Sequence, residues 1–187
     1  MMAFWRQKRA LPQHKSTTVK TSAGRVVGIR HMRPADAGLL VEFFERLSPE
    51  TRRLRFFTRL GNLPSQVVWR EATRLANIDP QSQAALLATV REEGREQVVG
   101  VARLARYDDD PTSAEVAVVV RDDYQGEGLG RALFDHLVTL ARARGIARFH
   151  ALMLAENHTM RRLIASSGLP VSSHTSHGET TTTISLR

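Results

Sequence analysis

The segment that most constrains the fold runs from Val118 to Arg131. Val118-Val119-Val120 passes through Arg121-Asp122-Asp123-Tyr124-Gln125 into Gly126-Glu127-Gly128-Leu129-Gly130-Arg131. The run Ala114–Val120 is rich in valine and alanine, as suits a strand buried on both faces. Beyond the glycines, Leu129, Leu133, Leu137, Leu140 and Ala141 recur at helical spacing, so a helix is expected over Gly128–Arg144, ended by Gly145. Phe149–Leu154 then reads as a strand and Asn157–Ser167 as a helix, closed by Gly168-Leu169-Pro170. Two such strand–helix units in succession call for parallel pairing and for helices packed on the sheet.

The turn itself favours an anion. Unpaired N–H groups of a first helical turn converge on one spot, and the helix dipole adds partial positive charge there. Glycines at 126, 128 and 130 permit positive φ and remove the Cβ atoms that would block a phosphate. Gln125 and Arg131 can add donors. The spacing is neither the G-x-G-x-x-G of a dinucleotide fold nor a P-loop, since no G-K-[ST] follows. The residues alone are also compatible with a tight turn that needs glycine only for closure.

Ahead of this segment, residues 17–32 read as a hairpin turning at Ser22-Ala23-Gly24. Pro34 and Asp36 suit the start of a helix that buries Leu39, Leu40, Phe43, Phe44 and Leu47. Ser48-Pro49 breaks it. Thr51–Phe57 reads as a short helix, and a third begins at Ser65 as its N-cap and runs to Leu75. Ala84–Arg91 and Gln97–Arg106 are strands joined through Glu92–Glu96, and Asp108–Pro111 is a solvated turn. At the C-terminus, residues 172–179 read as a Ser/Thr/His/Gly loop and Thr180–Leu186 as an edge strand. The fold expected is α/β: one central mixed sheet of about seven strands, helices on both faces, and a single domain over residues 17–187.

Composition narrows the chemistry. The chain lacks cysteine, which excludes a disulfide framework, a thiolate nucleophile and a zinc-thiolate site. No run of 18 apolar residues is present, so no membrane helix is expected. The net charge of +8 is confined to the front. Eight of the 27 basic residues precede Pro34 and no acid precedes Asp36, so the rest of the chain is balanced. Residues 1–16 read as a solvated basic tail; a nucleic-acid arm or a transit segment would have the same composition. The balanced body argues against nucleic acid as a partner. Without a secretory apolar run, the expected location is cytoplasmic.

Gln125-x-x-Gly128-x-Gly130, between a valine-rich strand and an amphipathic helix, resembles the acetyl-CoA signature of the GNAT superfamily of N-acetyltransferases. Two further segments are similar to the GNAT domain of bacterial Pat-type protein lysine acetyltransferases. They are Leu47-Ser48-Pro49-Glu50-Thr51-Arg52-Arg53-Leu54-Arg55-Phe56-Phe57 and Asp109-Asp110-Pro111-Thr112-Ser113-Ala114-Glu115-Val116-Ala117. The resemblance implies an acetyl-CoA-dependent N-acetyltransferase acting on an amine, a protein lysine above all, with a small amine as the alternative acceptor and a non-catalytic CoA-binding module as the alternative class. It calls for no metal and leaves a homodimer open.

The same resemblance implies roles for residues. Acetyl-CoA would lie where the strand 114–120 splays from the strand 149–154. Backbone groups of Val118 and Val120 would bond the pantetheine, and the amides of Gly126, Glu127, Gly128, Leu129, Gly130 and Arg131 would hold the pyrophosphate. A backbone N–H near Val119 would polarise the thioester carbonyl, and Asn157 would bond the pantetheine arm. Glu115 shares a strand face with Ala117 and Val119. The residues alone leave it open whether Glu115 is a general base or one side of a cross-strand ion pair; the resemblance implies the base. Many members place a tyrosine seven residues after the helix-opening asparagine, and here that position is Ile164. Tyr124 is expected to pack beside the loop, and His136, His150 and His158 to be structural.

Overall fold

A computed structural model describes residues 16–57 and 63–187. The tail expected over residues 1–16 lies outside the described residues apart from Ser16. In chain order the elements are β1 (Thr17–Lys20), β2 (Val26–His31), α1 (Ala37–Glu45), α2 (Pro49–Phe56), α3 (Ser65–Ala76), β3 (Gln83–Glu92), β4 (Arg95–Arg106), β5 (Ser113–Val120), α4 (Leu129–Ala143), β6 (Arg148–Leu154), α5 (His158–Ser166), β7 (Val171–Ser176) and β8 (Glu179–Ser185). Short 3-10 turns occupy Pro34–Asp36 and Asp122–Tyr124. The strands form one sheet in the order β1-β2-β3-β4-β5-β6-β8-β7. Every neighbouring pair is antiparallel except β5–β6.

Two cores sandwich the sheet. On one face, Leu129, Leu133, Phe134, Leu137 and Ala141 of α4 pack with Val99, Ala102, Val116 and Phe149. Phe134 meets Phe149 edge-on, with ring centroids 6.1 Å apart, and both rings are fully buried. Burying each such side chain is worth about 1.5–3 kcal/mol. On the other face, Leu40, Val41 and Phe43 of α1 and Ala72 and Ala76 of α3 cover Ala85, Leu87, Val98 and Val101.

The expected α/β architecture is present, with eight strands in place of about seven. The additional strand is β7, which falls in the segment read as a loop. It is exposed along its length and has no apolar alternation to announce it. Its ladder to β8 holds it, helped by hydroxyl pairs Ser173–Thr182 and Thr175–Thr180, each at 2.8 Å. The final strand is therefore not an edge: β8 lies between β6 and β7, and β7 is the edge. Helix starts also shift. Ser48 caps α2, its Oγ accepting from the Thr51 N–H at 3.1 Å with Pro49 at the first helical position. Pro64, not Ser65, occupies the cap of α3.

One irregularity of the sheet positions everything else. β5 pairs with β4 from Ala114 to Val120, but with β6 only at Ser113, Ala114 and Glu115. β6 pairs with β8 over its whole length. Past Glu115 the two parallel strands therefore part, as expected for a wedge-shaped opening. Among the described residues no helix is long and apolar enough to cross a membrane.

Candidate functional site

The wall of the opening is the free side of β5. Arg121 N–H donates to the Val99 carbonyl, and Tyr107 N–H to the Ser113 carbonyl, with an unbroken register between them. Antiparallel bonding alternates, so Glu115, Ala117 and Val119 direct their N–H and C=O groups at β4. Those of Val118 and Val120 point away from β4, into the opening. The expected backbone partners at Val118 and Val120 thus face the space where an extended chain would add as a strand. The donor expected near Val119 needs correction. The Val119 N–H is turned toward Val101, and the N–H that faces the opening beside it belongs to Val118.

The glycine turn closes the upper end. Gly126 and Gly128 have φ of 75° and 84°, in the left-handed region that favours glycine. Gly128 is the N-cap of α4, so Leu129, Gly130 and Arg131 form the first turn, with free N–H groups. A Cβ built at Gly126 or Gly128 would meet nothing within 4 Å, which leaves the concave side open to a phosphate.

The side chains flanking these amides are otherwise engaged. Gln125 Nε2 donates to the Val120 carbonyl at 2.9 Å and to Thr51 Oγ1 at 3.3 Å. Arg131 bonds Asp135 through Nε at 2.8 Å and the Ser166 carbonyl through Nη1. Glu127 accepts from Arg25 Nε at 3.0 Å, and its carbonyl accepts from the Ser22 N–H at 3.1 Å. The Arg25 hydrogen bond holds the Glu127 carboxyl below its ordinary value. These side chains tie the turn to β5, α2, α5 and the first hairpin, so the anion-binding capacity rests on backbone N–H groups. Asn157 caps α5, its Oδ1 accepting from Met160 N–H at 3.0 Å.

Glu115 occupies the last position of β5 that pairs with β6, where the opening begins. It is exposed and makes no hydrogen bond or ion pair among the described residues. In the sheet it faces Ala105 of β4 and His150 of β6. The sequence does not reveal this neighbourhood. His150 bonds Thr183 Oγ1 through Nδ1 at 3.1 Å and receives the edge of Tyr107, with ring centroids 5.6 Å apart. Burial, with the charges of Glu115 and Asp109, pushes the Tyr107 phenol up. Tyr107, eight positions before Glu115 in the chain, arrives beside it because β4 turns back as β5. Ile164 is buried and presents no acid, and Tyr124 packs in the core with its hydroxyl on Glu92 at 3.0 Å.

Helix α2 bridges the two walls. Asp122, after β5, accepts from Ser48 N–H at 2.9 Å, Ser48 Oγ at 2.6 Å and Thr51 Oγ1 at 2.7 Å. On the other side Arg53 pairs with Glu156, which follows β6. In the turn read as solvated, Asp110 is a structural acceptor, and so are the aspartates after β5. Asp110 bonds Thr112, Ser113 and Arg148, and Asp123 pairs with Arg121. No group of three or more His, Asp or Glu side chains is placed to hold a metal among the described residues.

A family model described as the acetyltransferase (GNAT) family matches residues 40–169. An acetyltransferase of Pseudomonas aeruginosa is 35% identical over 145 residues, covering 78% of this chain and 75% of that protein. The acetyltransferase Pat of Mycolicibacterium smegmatis is 41% identical over 71 residues, covering 38% of this chain and 21% of that protein. Among solved structures, the GNAT domain of S. lividans PAT superposes with a TM-score of 0.81 at 27% identity, covering 94% of this chain and 99% of that one.

Proposed function

The chain belongs to the GNAT family of acetyltransferases, and from that membership we propose that it acetylates the side-chain amine of a protein lysine, with Glu115 as general base. The family uses acetyl-CoA, which supplies an activated acetyl thioester. The residues present fit such a cosubstrate: an open glycine cradle at a helix N-terminus and an unpaired strand side leading from it to Glu115. The amides of residues 126–131 would take the pyrophosphate. The Val120 carbonyl is taken by Gln125, which leaves the Val120 N–H and both Val118 groups for the pantetheine and the thioester oxygen. Asn157, committed through Oδ1 to its helix, has only its amide nitrogen to offer the pantetheine arm.

A lysine amine is protonated at neutral pH, with a reference pKa of about 10.4, and must lose a proton before it can attack. The observation that carries the base assignment is the position of Glu115: exposed, unpaired, and at the residue where β5 leaves β6. A structural glutamate on a strand would be expected to hold a cross-strand partner. A protein acceptor is supported by the similarity to Pat and to the S. lividans domain. The test is labelled acetyl-CoA offered with lysine peptides, folded proteins and small amines. Label on protein lysines, lost in Glu115→Gln while CoA binding persists, is expected. Label on small amines alone would change the acceptor class, and full activity of Glu115→Gln would end the base assignment.

A further inference from the structure

Among the described residues, the buried and half-buried arginines have acceptors, with two exceptions at the opening. Arg30 holds Asp36 and Glu96, at 2.7 and 2.9 Å. Arg121 holds Asp123 and Glu92, also at 2.7 and 2.9 Å. Arg106 and Arg144 donate to backbone carbonyls. Arg103 and Arg55 do neither: among the described residues no hydrogen bond or ion pair is formed by either, and Arg103 Nη1 is fully buried without a partner. Arg103 stands on β4 opposite Ala117, on the sheet face of Glu115, one strand over and two residues along. Arg55 comes to the same place from α2, the helix that spans the opening. The one carboxylate within electrostatic reach of both is Glu115, which bonds neither. Burial pushes the Arg103 guanidinium down to about 10, helped by the charges of Arg55 and Arg74 and opposed by Glu115. It remains cationic at neutral pH.

We propose that Arg55 and Arg103 form a carboxylate-binding subsite on the acceptor side of the opening, so that the lysine acetylated by this protein has an acidic residue beside it. The inference rests on the acetyltransferase reading and names its acceptor more closely. Two half-buried guanidiniums facing one carboxylate are costly unless a further anion joins them. The planar fork of arginine is suited to a carboxylate, which it bonds through two parallel N–H groups. Without that anion the pair would repel the ammonium of an approaching lysine. With it, the acceptor brings its own counter-charge, and the amine is delivered to Glu115 on the same sheet face.

The test compares peptides in which the lysine is flanked by Asp or Glu with the same peptides carrying Asn or Gln. Wild type is expected to prefer the acidic peptides by about tenfold in kcat/KM, mostly through KM, the scale of a charge-assisted hydrogen bond. In Arg103→Gln the ratio should fall to within about threefold. Arg55→Gln provides a second variant, and CoA affinity by calorimetry verifies that each is folded. Binding of the peptides to the CoA-loaded protein, measured in Glu115→Gln as well, reports the same preference without turnover. Full turnover in Glu115→Gln with the preference intact would therefore count against the base and not against the subsite. No acidic preference in wild type, or a ratio unchanged in both arginine variants, would overturn the proposal. So would a preference for succinyl-CoA over acetyl-CoA that disappears in the same variants, because it would place the carboxylate on the acyl group.

Discussion

At Gly130 a side chain would find ordinary contacts, 3.6 Å from Val120 Cγ2 and 3.9 Å from Leu163 Cδ2. The position lies in the first turn of α4, where alanine is preferred over glycine by about 0.5–1 kcal/mol. Gly130→Ala should therefore melt no lower than wild type and still bind CoA, because the added methyl meets Val120 and Leu163 and leaves the amides of the first turn uncovered. Paired calorimetry and thermal melts check this, and a folded variant with much weakened CoA affinity would contradict it. Gly128→Val is a poorer probe, since a φ of 84° strains a branched side chain whether or not ligand is present. At this scale the sequence is informative about backbone and less so about side chains. The glycines declare the cradle. That Arg131 would turn to Asp135 is foreshadowed only by their four-residue spacing, and that Gln125 would turn inward to Val120 is set by tertiary packing.

The element that organises the site is α2, and its docking is long-range. Asp122 is pulled up by burial, but its bonds from Ser48 and Thr51 outweigh this and hold the carboxyl below its ordinary value. Asp122→Ala removes three acceptor contacts at once. It should cost about 1 kcal/mol of stability, given their exposure. The larger effect should fall on KM for the acceptor, since α2 carries Arg55 across the opening. Steady-state kinetics beside a denaturant melt separates the two effects, and a stability loss with unaltered KM would show that α2 is not part of the acceptor side. The helix itself is legible over Thr51–Phe57, though Ser48-Pro49, read as a break, is its cap and first residue. Its partner is not, because Ser48 and Asp122 are 74 residues apart. β7 was hidden for a different reason: a strand without a buried face has no period to detect.

Across the whole molecule, the parallel strand–helix units and the glycine turn sufficed to indicate a mixed sheet with helices on both faces, because each element's local pattern agrees with its packing. The register did not follow from pattern, and it is register that brings Tyr107, His150 and Arg103 around Glu115. Charge is distributed as a few buried hubs. Arg121 holds Glu92 and Asp123 below their ordinary values through its hydrogen bonds, and Asp36, pushed up by burial, is pulled further down by Arg30 and the Arg33 amide. These carboxyls have lower pKa values folded than unfolded. Their contribution is present above the ordinary carboxylate range and is lost as pH falls through the folded values. The melting temperature should hardly change from pH 7 to 5 and should fall below about pH 4. Arg121→Met should cost about 1–3 kcal/mol at neutral pH and flatten that acid limb; melts at several pH values test it, and an acid limb as steep as wild type would refute it.

The central claim is that Glu115 takes the proton of an amine at the mouth of the β5–β6 opening. Its most direct test is the pH profile of kcat/KM for wild type and Glu115→Gln, with CoA affinity and melting temperature measured on the same samples. Wild type should rise with pH through an apparent pKa and then level. The variant should be slower by about 10²–10⁴-fold at neutral pH, with the deficit shrinking at high pH as more of the amine becomes neutral, while CoA affinity and melting temperature stay close to wild type. A variant with the wild-type rate and profile, or one whose loss is wholly accounted for by weaker CoA binding or a lower melting temperature, would contradict the account.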